Sequence, residues 1–198
     1  MTDRTGMSTL VAELRRMTNC GPNDVTIGGR DYWHDDDLVD ILDEHRTDII
    51  REPLVYDPLT GAGGTVLYVR ARLTVGHLEA SPGTAEGTAI FAIVNGGGTP
   101  LGTADYSVDY RRGVVTFTAD TAGTSYYVYA RTYDLYGAAA RVWRDKAGMS
   151  AEDVDFKTQE HWWYGSQRVK QCLEMASYYE TQSESSGRSV ALLRDDIL

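Results

Sequence analysis

The sequence predicts an α+β fold in which a small antiparallel β module, a sandwich or a barrel, is inserted into a helical bundle. Strand-like alternation over residues 125–132 runs without a linker into helix-like spacing over residues 133–143. A switch in the opposite sense occurs near Pro53. We therefore expect a discontinuous helical domain over residues 1–53 and 133–182 and an inserted β domain over residues 54–132. Residues 183–198 are expected to form a flexible C-terminal arm.

The first helix is predicted from Ser8 or Thr9 to about Thr18. Its apolar residues recur at helical spacing, and Gly21 and Pro22 follow as stop signals. These apolar residues are Leu10, Val11, Leu14 and Met17.

The second helix is predicted to begin at the three consecutive residues Asp35, Asp36 and Asp37 and to end before Pro53. Carboxylates in a first turn interact favourably with the positive end of the helix dipole. Helical spacing places an apolar arc and an acidic arc on opposite sides. The apolar arc contains Leu38, Ile41, Leu42, His45 and Ile49, in which His45 is expected to be a packed core residue. The acidic arc contains Asp36, Asp40, Asp43, Glu44 and Asp48.

The middle of the chain predicts five or six short strands. Alternating segments are separated by turns rich in Gly, Pro, Asn and Asp, which is typical of an antiparallel sandwich or barrel. The candidate strands cover residues 65–73, 88–94, 105–109, 114–119 and 125–132.

Two more helices are predicted after the strands, from about Asp134 to Ala147 and from about His161 to Gln182. Small residues on the third helix favour close approach of a neighbouring helix. The fourth helix carries an apolar stripe, made of Trp162, Val169, Cys172, Leu173, Ala176 and Tyr179. A polar segment then leads to the apolar residues 190–198, which favours an arm that docks on a partner.

Composition limits the function classes. Hydrophobic residues make up 42% and charged residues 24%, which is typical of a soluble globular protein. The net charge of −10 and the scattered basic residues argue against a protein that grips DNA phosphates. No apolar run approaches the ~20 residues of a membrane span, and the first residues lack the pattern of a signal sequence, so we expect no membrane contact. Cys20 and Cys172 are expected to be free thiols.

No pattern in the sequence predicts catalysis, a cofactor or a metal site. The acidic residues 35–37, with Asp31 and His34 nearby, lack the spacing of a calcium loop and are better explained by a helix start. The Gly-rich segments 61–64 and 96–98 do not open helices, as phosphate-binding loops do. A stacking platform for sugars remains an alternative use of the aromatic residues Tyr126, Tyr127, Tyr129, Trp162 and Trp163.

Three stretches of the sequence resemble the head-to-tail connector (adaptor) proteins of long-tailed bacteriophages. They are residues 32–46, residues 113–117 and residues 133–140, the last continuing through residues 155–158 into the fourth helix. None carries a catalytic signature. The β module departs from the resemblance, because many members of this family are smaller and almost wholly helical.

The resemblance implies a structural virion protein of the neck, assembled in the host cytoplasm. Its copies would form a ring, commonly a dodecamer, beneath the portal protein, extend the DNA channel and receive a stopper or tail-completion protein. DNA would pass without specific binding, because a ring of carboxylates repels phosphates. The expected channel-lining residues are Asp36, Asp40, Asp43, Glu44 and Asp48. The expected portal-docking residues are Val190, Leu192, Leu193, Ile197 and Leu198.

Two other function classes remain open from the sequence. One is a β-sandwich module on a helical stalk that binds a carbohydrate or another host-surface ligand. The other is a metal-dependent hydrolase centred on residues 31–37, which has the least support.

Overall fold

The computed structural model describes residues 4–21, 25–27, 30–80, 90–151, 156–157, 162–163 and 165–183. The fold is α+β, as predicted. The described α-helices are α1 (Ser8–Thr18), α2 (Asp35–Glu44), α3 (Leu135–Ser150) and α4 (Gly165–Gln182), and short 3-10 turns cover Thr5–Met7 and Ala62–Gly64. Among the described residues, no helix combines the length and the apolar character that crossing a membrane requires.

The strands are short and antiparallel. In chain order they are β1 (Val25–Ile27), β2 (Arg30–Tyr32), β3 (Arg46–Pro53), β4 (Val55–Tyr56), β5 (Leu59–Thr60), β6 (Val66–Leu67), β7 (Arg70–Arg72), β8 (Ala92–Asn95), β9 (Tyr106–Asp109), β10 (Val114–Phe117), β11 (Tyr126–Tyr133), β12 (Phe156–Lys157) and β13 (Trp162–Trp163).

Two sheets form a sandwich around one hydrophobic core. One sheet has the order β4-β7-β10-β9 and the other the order β3-β11-β8. Alternate residues of both sheets point into the same cluster, which is the packing expected of a sandwich. Its buried residues are Ile49, Leu54, Ala71, Leu73, Leu78, Phe91, Ile93, Val115, Phe117, Val128 and Ala130.

The helices enclose a second core, and α3 lies at its centre. Helix α3 packs against α1, α2 and α4. Asp134 caps it, since its side chain accepts hydrogen bonds from the backbone N–H groups of Tyr136 and Gly137. A Cβ at Gly137 would lie 2.8 Å from His45 Nδ1, so glycine allows the segment after α2 to approach the start of α3. The buried residues of this core are Met7, Leu10, Val11, Leu14, Cys20, Trp33, Leu38, Leu42, Tyr133, Leu135, Ala138, Ala139 and Val142.

The predicted second helix is wrong beyond Glu44. Residues 46–53 form strand β3, paired with β11 in the register Ile49 to Ala130 and Asp48 to Arg131. Ile49 therefore belongs to the core of the sandwich, and Asp48 lies on a strand. His45 follows the helix and is half-buried, which corrects its placement on the apolar face of a helix.

Two other element predictions need correction. The single strand predicted over residues 65–73 is divided at Tyr68 and Val69, because β6 pairs with β5 whereas β7 pairs with β4 and β10. The fourth helix begins at Gly165, since Trp162 lies on β13, which pairs with β12. Leu173, predicted in the packed stripe of that helix, is 51% exposed, whereas Cys172 and Ala176 are buried.

Candidate functional site

Helix α2 presents an acidic stripe to solvent. Asp36, Asp40 and Glu44 are exposed and follow one another at four-residue spacing, which keeps them on one face. On the opposite side Leu38 and Leu42 are fully buried. The helix is therefore fixed by its apolar side and leaves three carboxylates projecting from the surface.

The first turn of α2 is held by polar contacts. Asp37 Oδ2 accepts a hydrogen bond from the backbone N–H of His34 at 3.1 Å. Arg15, on α1, donates to Asp35 Oδ1 through Nε at 3.0 Å and through Nη2 at 2.6 Å. The same guanidinium also donates to the carbonyl oxygen of Trp33 at 2.7 Å. These contacts give Asp35 and Asp37 structural positions at the start of the helix.

Asp43 and Asp48, both expected to line a channel, lie in ion pairs with arginines. Asp43 is half-buried and accepts from Arg4 Nη2 at 2.6 Å. Asp48 lies 3.0 Å from Arg46 Nε and 3.9 Å from Arg131 Nε. Of the five residues expected to line a channel, Asp36, Asp40 and Glu44 form the exposed stripe of α2.

A charged cluster lies where the helical core meets the sandwich, and we call it the junction cluster. Its members are Arg4, Asp43, Glu79, Arg131 and Tyr133. The side chain of Glu79 is completely buried and accepts a hydrogen bond from the Tyr133 hydroxyl at 2.7 Å. Arg4 Nε and Arg131 Nη1 lie 3.7 and 3.6 Å from its two oxygens. A buried carboxylate needs such partners, because transfer from water is otherwise costly.

The junction cluster favours the protonated, neutral form of the Tyr133 hydroxyl. Burial raises the pKa of the hydroxyl well above its ordinary value, and the hydrogen bond to Glu79 and the negative charge of that carboxylate add to the effect. Tyr133 is the last residue of β11 and packs in the helical core, so its hydroxyl joins the two halves of the protein. Long-range contacts of this kind carry no local sequence signal, and the sequence did not predict the cluster.

A groove of about 220 Å³ lies between α1 and the hairpin formed by β9 and β10. Buried Leu10 and Leu78 and half-buried Val108 form an apolar floor. At the rim, Arg111 Nη2 donates to Glu13 Oε1 at 2.7 Å. The lining of the groove thus combines apolar and charged side chains.

Where the structure describes their side chains, the aromatic residues considered for sugar binding pack against other side chains or are half-buried. Tyr126 packs against Phe117 with ring centroids 5.4 Å apart. Tyr127 is covered by the Arg51 guanidinium, 5.0 Å from its ring centroid, and Tyr129 is half-buried. The side chains of Trp162 and Trp163 lie outside the described part of the chain.

The remaining candidates are the two cysteines, possible metal ligands and the C-terminal residues. Cys20 and Cys172 are buried free thiols, as predicted, and burial raises the pKa of the Cys172 thiol. Within the described ranges, no three His, Cys, Asp or Glu side chains are placed to hold a metal ion. The expected portal-docking residues, 190–198, lie outside the described residues.

The sequence matches no protein-family model, and comparisons with curated proteins and with solved structures likewise find no match.

Proposed function

We propose that the chain is a non-enzymatic head-to-tail connector of a long-tailed bacteriophage. Copies of it form a ring, a dodecamer, beneath the portal protein, extend the DNA channel and join the capsid to the tail. The protein acts in the neck of the virion and assembles there from the host cytoplasm. A stopper or tail-completion protein binds the far side of the ring.

The acidic stripe of α2 is the observation that supports this proposal most. Asp36, Asp40 and Glu44 project from a helix whose other side is anchored by buried leucines. In a ring, the same stripe on every copy would surround the axis with carboxylates at fixed positions. Such a surface repels DNA phosphates, so DNA slides through rather than adhering.

Asp43 and Asp48 have another role in this proposal. Arg4 pairs with Asp43 of α2, and Arg131 of the neighbouring strand β11 lies 3.9 Å from Asp48 of β3. They therefore contribute to the rigidity of the subunit, while the channel surface is formed by the exposed stripe. Rigid subunits keep a ring at a constant diameter.

The experiment is to mix the purified chain with portal-bearing, tail-less capsids of the same phage and to image them by electron microscopy. We expect a new ring of density below the portal. A second sample carries Leu192→Asp and Leu193→Asp, which place charges in the proposed portal-docking segment and should leave the vertex bare. Unchanged vertices with the natural chain would contradict the proposal.

A further inference from the structure

The turn at the end of strand β8 contains the only Asn–Gly pair of the sequence, Asn95 and Gly96. The backbone nitrogen that follows an asparagine can attack the side-chain amide of that asparagine, and the step is favoured because both groups belong to the same chain. Glycine permits this attack best, since it has no Cβ that crowds the nitrogen or restricts the backbone. Asn95 is half-buried, whereas the glycines 96–98 are exposed to water. The pair is therefore a candidate site of covalent change in the folded protein.

Two backbone N–H groups of the turn are directed at the side-chain amide of Asn95. Its Oδ1 accepts hydrogen bonds from the N–H of Gly97 at 3.0 Å and from the N–H of Thr99 at 2.9 Å. Attack on Cγ places negative charge on this oxygen, and donors that are already in position stabilise the charge, as an oxyanion hole does. The turn thus holds the amide in place and polarises it for attack.

The turn also prepares the attacking nitrogen, which is that of Gly96. The carbonyl oxygen of the same peptide group belongs to Asn95 and accepts a hydrogen bond from the N–H of Gly98 at 2.9 Å. This bond stabilises the deprotonated peptide group, so the N–H of Gly96 becomes more acidic. Among the described residues, no acceptor is hydrogen-bonded to the Gly96 N–H. The nitrogen is therefore available for attack on Cγ.

Asn19 provides a comparison within the same chain. It follows α1 and is followed by Cys20, whose N–H donates to the carbonyl oxygen of Arg15 at 3.2 Å. Cys20 is also only 4% exposed. Its nitrogen is thus hydrogen-bonded and belongs to a buried residue with a side chain, three conditions that oppose attack on the preceding amide. The structure therefore favours reaction at Asn95 over reaction at Asn19.

We propose that the turn promotes spontaneous deamidation of Asn95. The Gly96 nitrogen forms a bond to Cγ, its proton leaves with the amide nitrogen as ammonia, and a succinimide ring remains. Water then opens the ring without any oxidation or reduction. Cleavage between the nitrogen and Cγ gives aspartate, and cleavage between the nitrogen and the backbone carbonyl carbon gives isoaspartate. Either product adds a negative charge beside Arg51, whose guanidinium donates to the Gly96 carbonyl oxygen at 3.2 Å.

Incubation of the full-length protein at mildly alkaline pH in ¹⁸O-enriched water tests the inference. Peptide mass spectrometry with fragmentation locates the incorporated ¹⁸O, and an isoaspartyl methyltransferase identifies isoaspartate. We expect ¹⁸O to enter at Asn95 about tenfold faster than at Asn19, with isoaspartate among the products. In concentrated urea at the same pH the chain keeps the Asn–Gly pair but loses the donors of the turn, so reaction at Asn95 should be slower than in the folded protein.

Gly96→Ala is the matched variant. A Cβ at this position would meet no atom within 4 Å, so the fold should remain intact, which urea denaturation checks. The methyl group crowds the attacking nitrogen and restricts the backbone, so deamidation should slow about fivefold or more. An unreactive Asn95, an equal rate at Asn19, a rate in urea that matches or exceeds that of the folded protein, or an unchanged rate in Gly96→Ala would overturn the inference. None of these results involves the portal, so the connector proposal is tested separately.

Discussion

At the residue scale, the buried side chain of Glu79 links the helical core to the core of the sandwich. Its buried carboxylate accepts from Tyr133, 54 positions away, and lies between the guanidinium groups of Arg4 and Arg131. Breaking a buried charged group's contacts is strongly destabilising, because the remaining charge lacks compensation. The sequence could not predict the cluster, since its members come from four separate parts of the chain. Hydrophobic spacing identifies core positions but not polar contacts across them.

Replacing Tyr133 by Phe should destabilise the fold. The change keeps the ring but removes the hydrogen bond to Glu79, leaving a buried carboxylate oxygen without that donor. We expect the free energy of unfolding, measured by urea denaturation, to fall by about 1–3 kcal/mol. Tyr136→Phe is the matched control, because Tyr136 is 40% exposed and should change stability by less than about 0.5 kcal/mol. Equal effects of the two substitutions would contradict the role of the junction cluster.

From the raised pKa of Tyr133 we also expect the protein to lose stability at alkaline pH. The folded state holds the pKa of Tyr133 above the ordinary value near 10, mainly through burial. Below pH 10 the Tyr133 hydroxyl is neutral in both the folded and the unfolded state, so its full contribution to stability is present. Above pH 10 this hydroxyl ionises in the unfolded chain but not yet in the folded protein, so the free energy of unfolding falls. The slope from this residue is at most about 1.4 kcal/mol per pH unit. Urea unfolding from about pH 8 to about pH 11 should therefore show a shallower decline for Tyr133→Phe than for the natural chain, and identical declines would refute the assignment.

At the element scale, the sequence predicted most reliably those segments whose local pattern and tertiary position agree. Helix α1 occupies Ser8–Thr18, as expected from its apolar spacing and the stop signals after it. Strand β9 begins one residue after the predicted start and ends at the predicted Asp109. Helix α3 begins directly after the predicted Asp134, which is its cap, and continues to Ser150.

The wrong predictions lie where one segment fits two patterns. Residues 46–53 continue the spacing of α2, because Ile49 falls on the apolar arc, yet they also contain the β-branched residues Thr47, Ile49 and Ile50. Pairing with β11 decides in favour of a strand, and this partner lies about eighty positions away. Likewise Trp162 continues a helical stripe in the sequence, but Trp162 and Trp163 form a strand, as their aromatic character favours.

Strand β3 contains a β-bulge at Ile50 and Arg51. Ile50 and Arg51 together oppose Tyr129, and Arg51 adopts a φ of 54°. Ile49 is 7% exposed and Ile50 is 77% exposed, because successive residues of a strand point to opposite faces of the sheet. The bulge also interrupts the regular edge of the sheet, which limits pairing with other strands.

The two isoleucines form a matched pair for mutagenesis. Ile49→Ala should lower the free energy of unfolding by about 2–5 kcal/mol, because it leaves a cavity in the sandwich core. Ile50→Ala removes the same atoms from an exposed position and should change it by less than about 0.5 kcal/mol. Urea denaturation of both variants measures the difference. Similar losses for both would contradict the placement of Ile49 in the core of the sandwich and of Ile50 at the surface.

At the scale of the whole molecule, the α2 stripe is the feature with the clearest proposed use. The helical core fixes α2 from behind, and the junction cluster ties that core to the sandwich, so the stripe has a constant position within each subunit. The amphipathic pattern of α2 was evident in the sequence as far as Glu44. The ion pairs of Asp43 with Arg4 and of Asp48 with Arg131 were not, because these arginines lie far away in the sequence.

Neutralising the stripe should slow the passage of DNA. The variant Asp40→Asn with Glu44→Gln removes two exposed charges per copy without touching the buried side of α2. We expect virions completed with it to release DNA roughly two- to tenfold more slowly, because phosphates lose a repelling surface. The readout is the fluorescence of a DNA-binding dye after release is triggered.

The control variant carries the same loss of charge elsewhere. Asp145→Asn with Glu174→Gln changes two surface carboxylates on α3 and α4. It should release DNA at the natural rate. Slowing by both variants, or by neither, would contradict a channel position for the stripe.

The most direct measurement of the central claim is the orientation of α2 in a density map of capsids completed with the natural chain. The account predicts a ring below the portal in which Asp36, Asp40 and Glu44 face the axis along which DNA passes. A ring in which these three residues face outward, away from the axis, would contradict it.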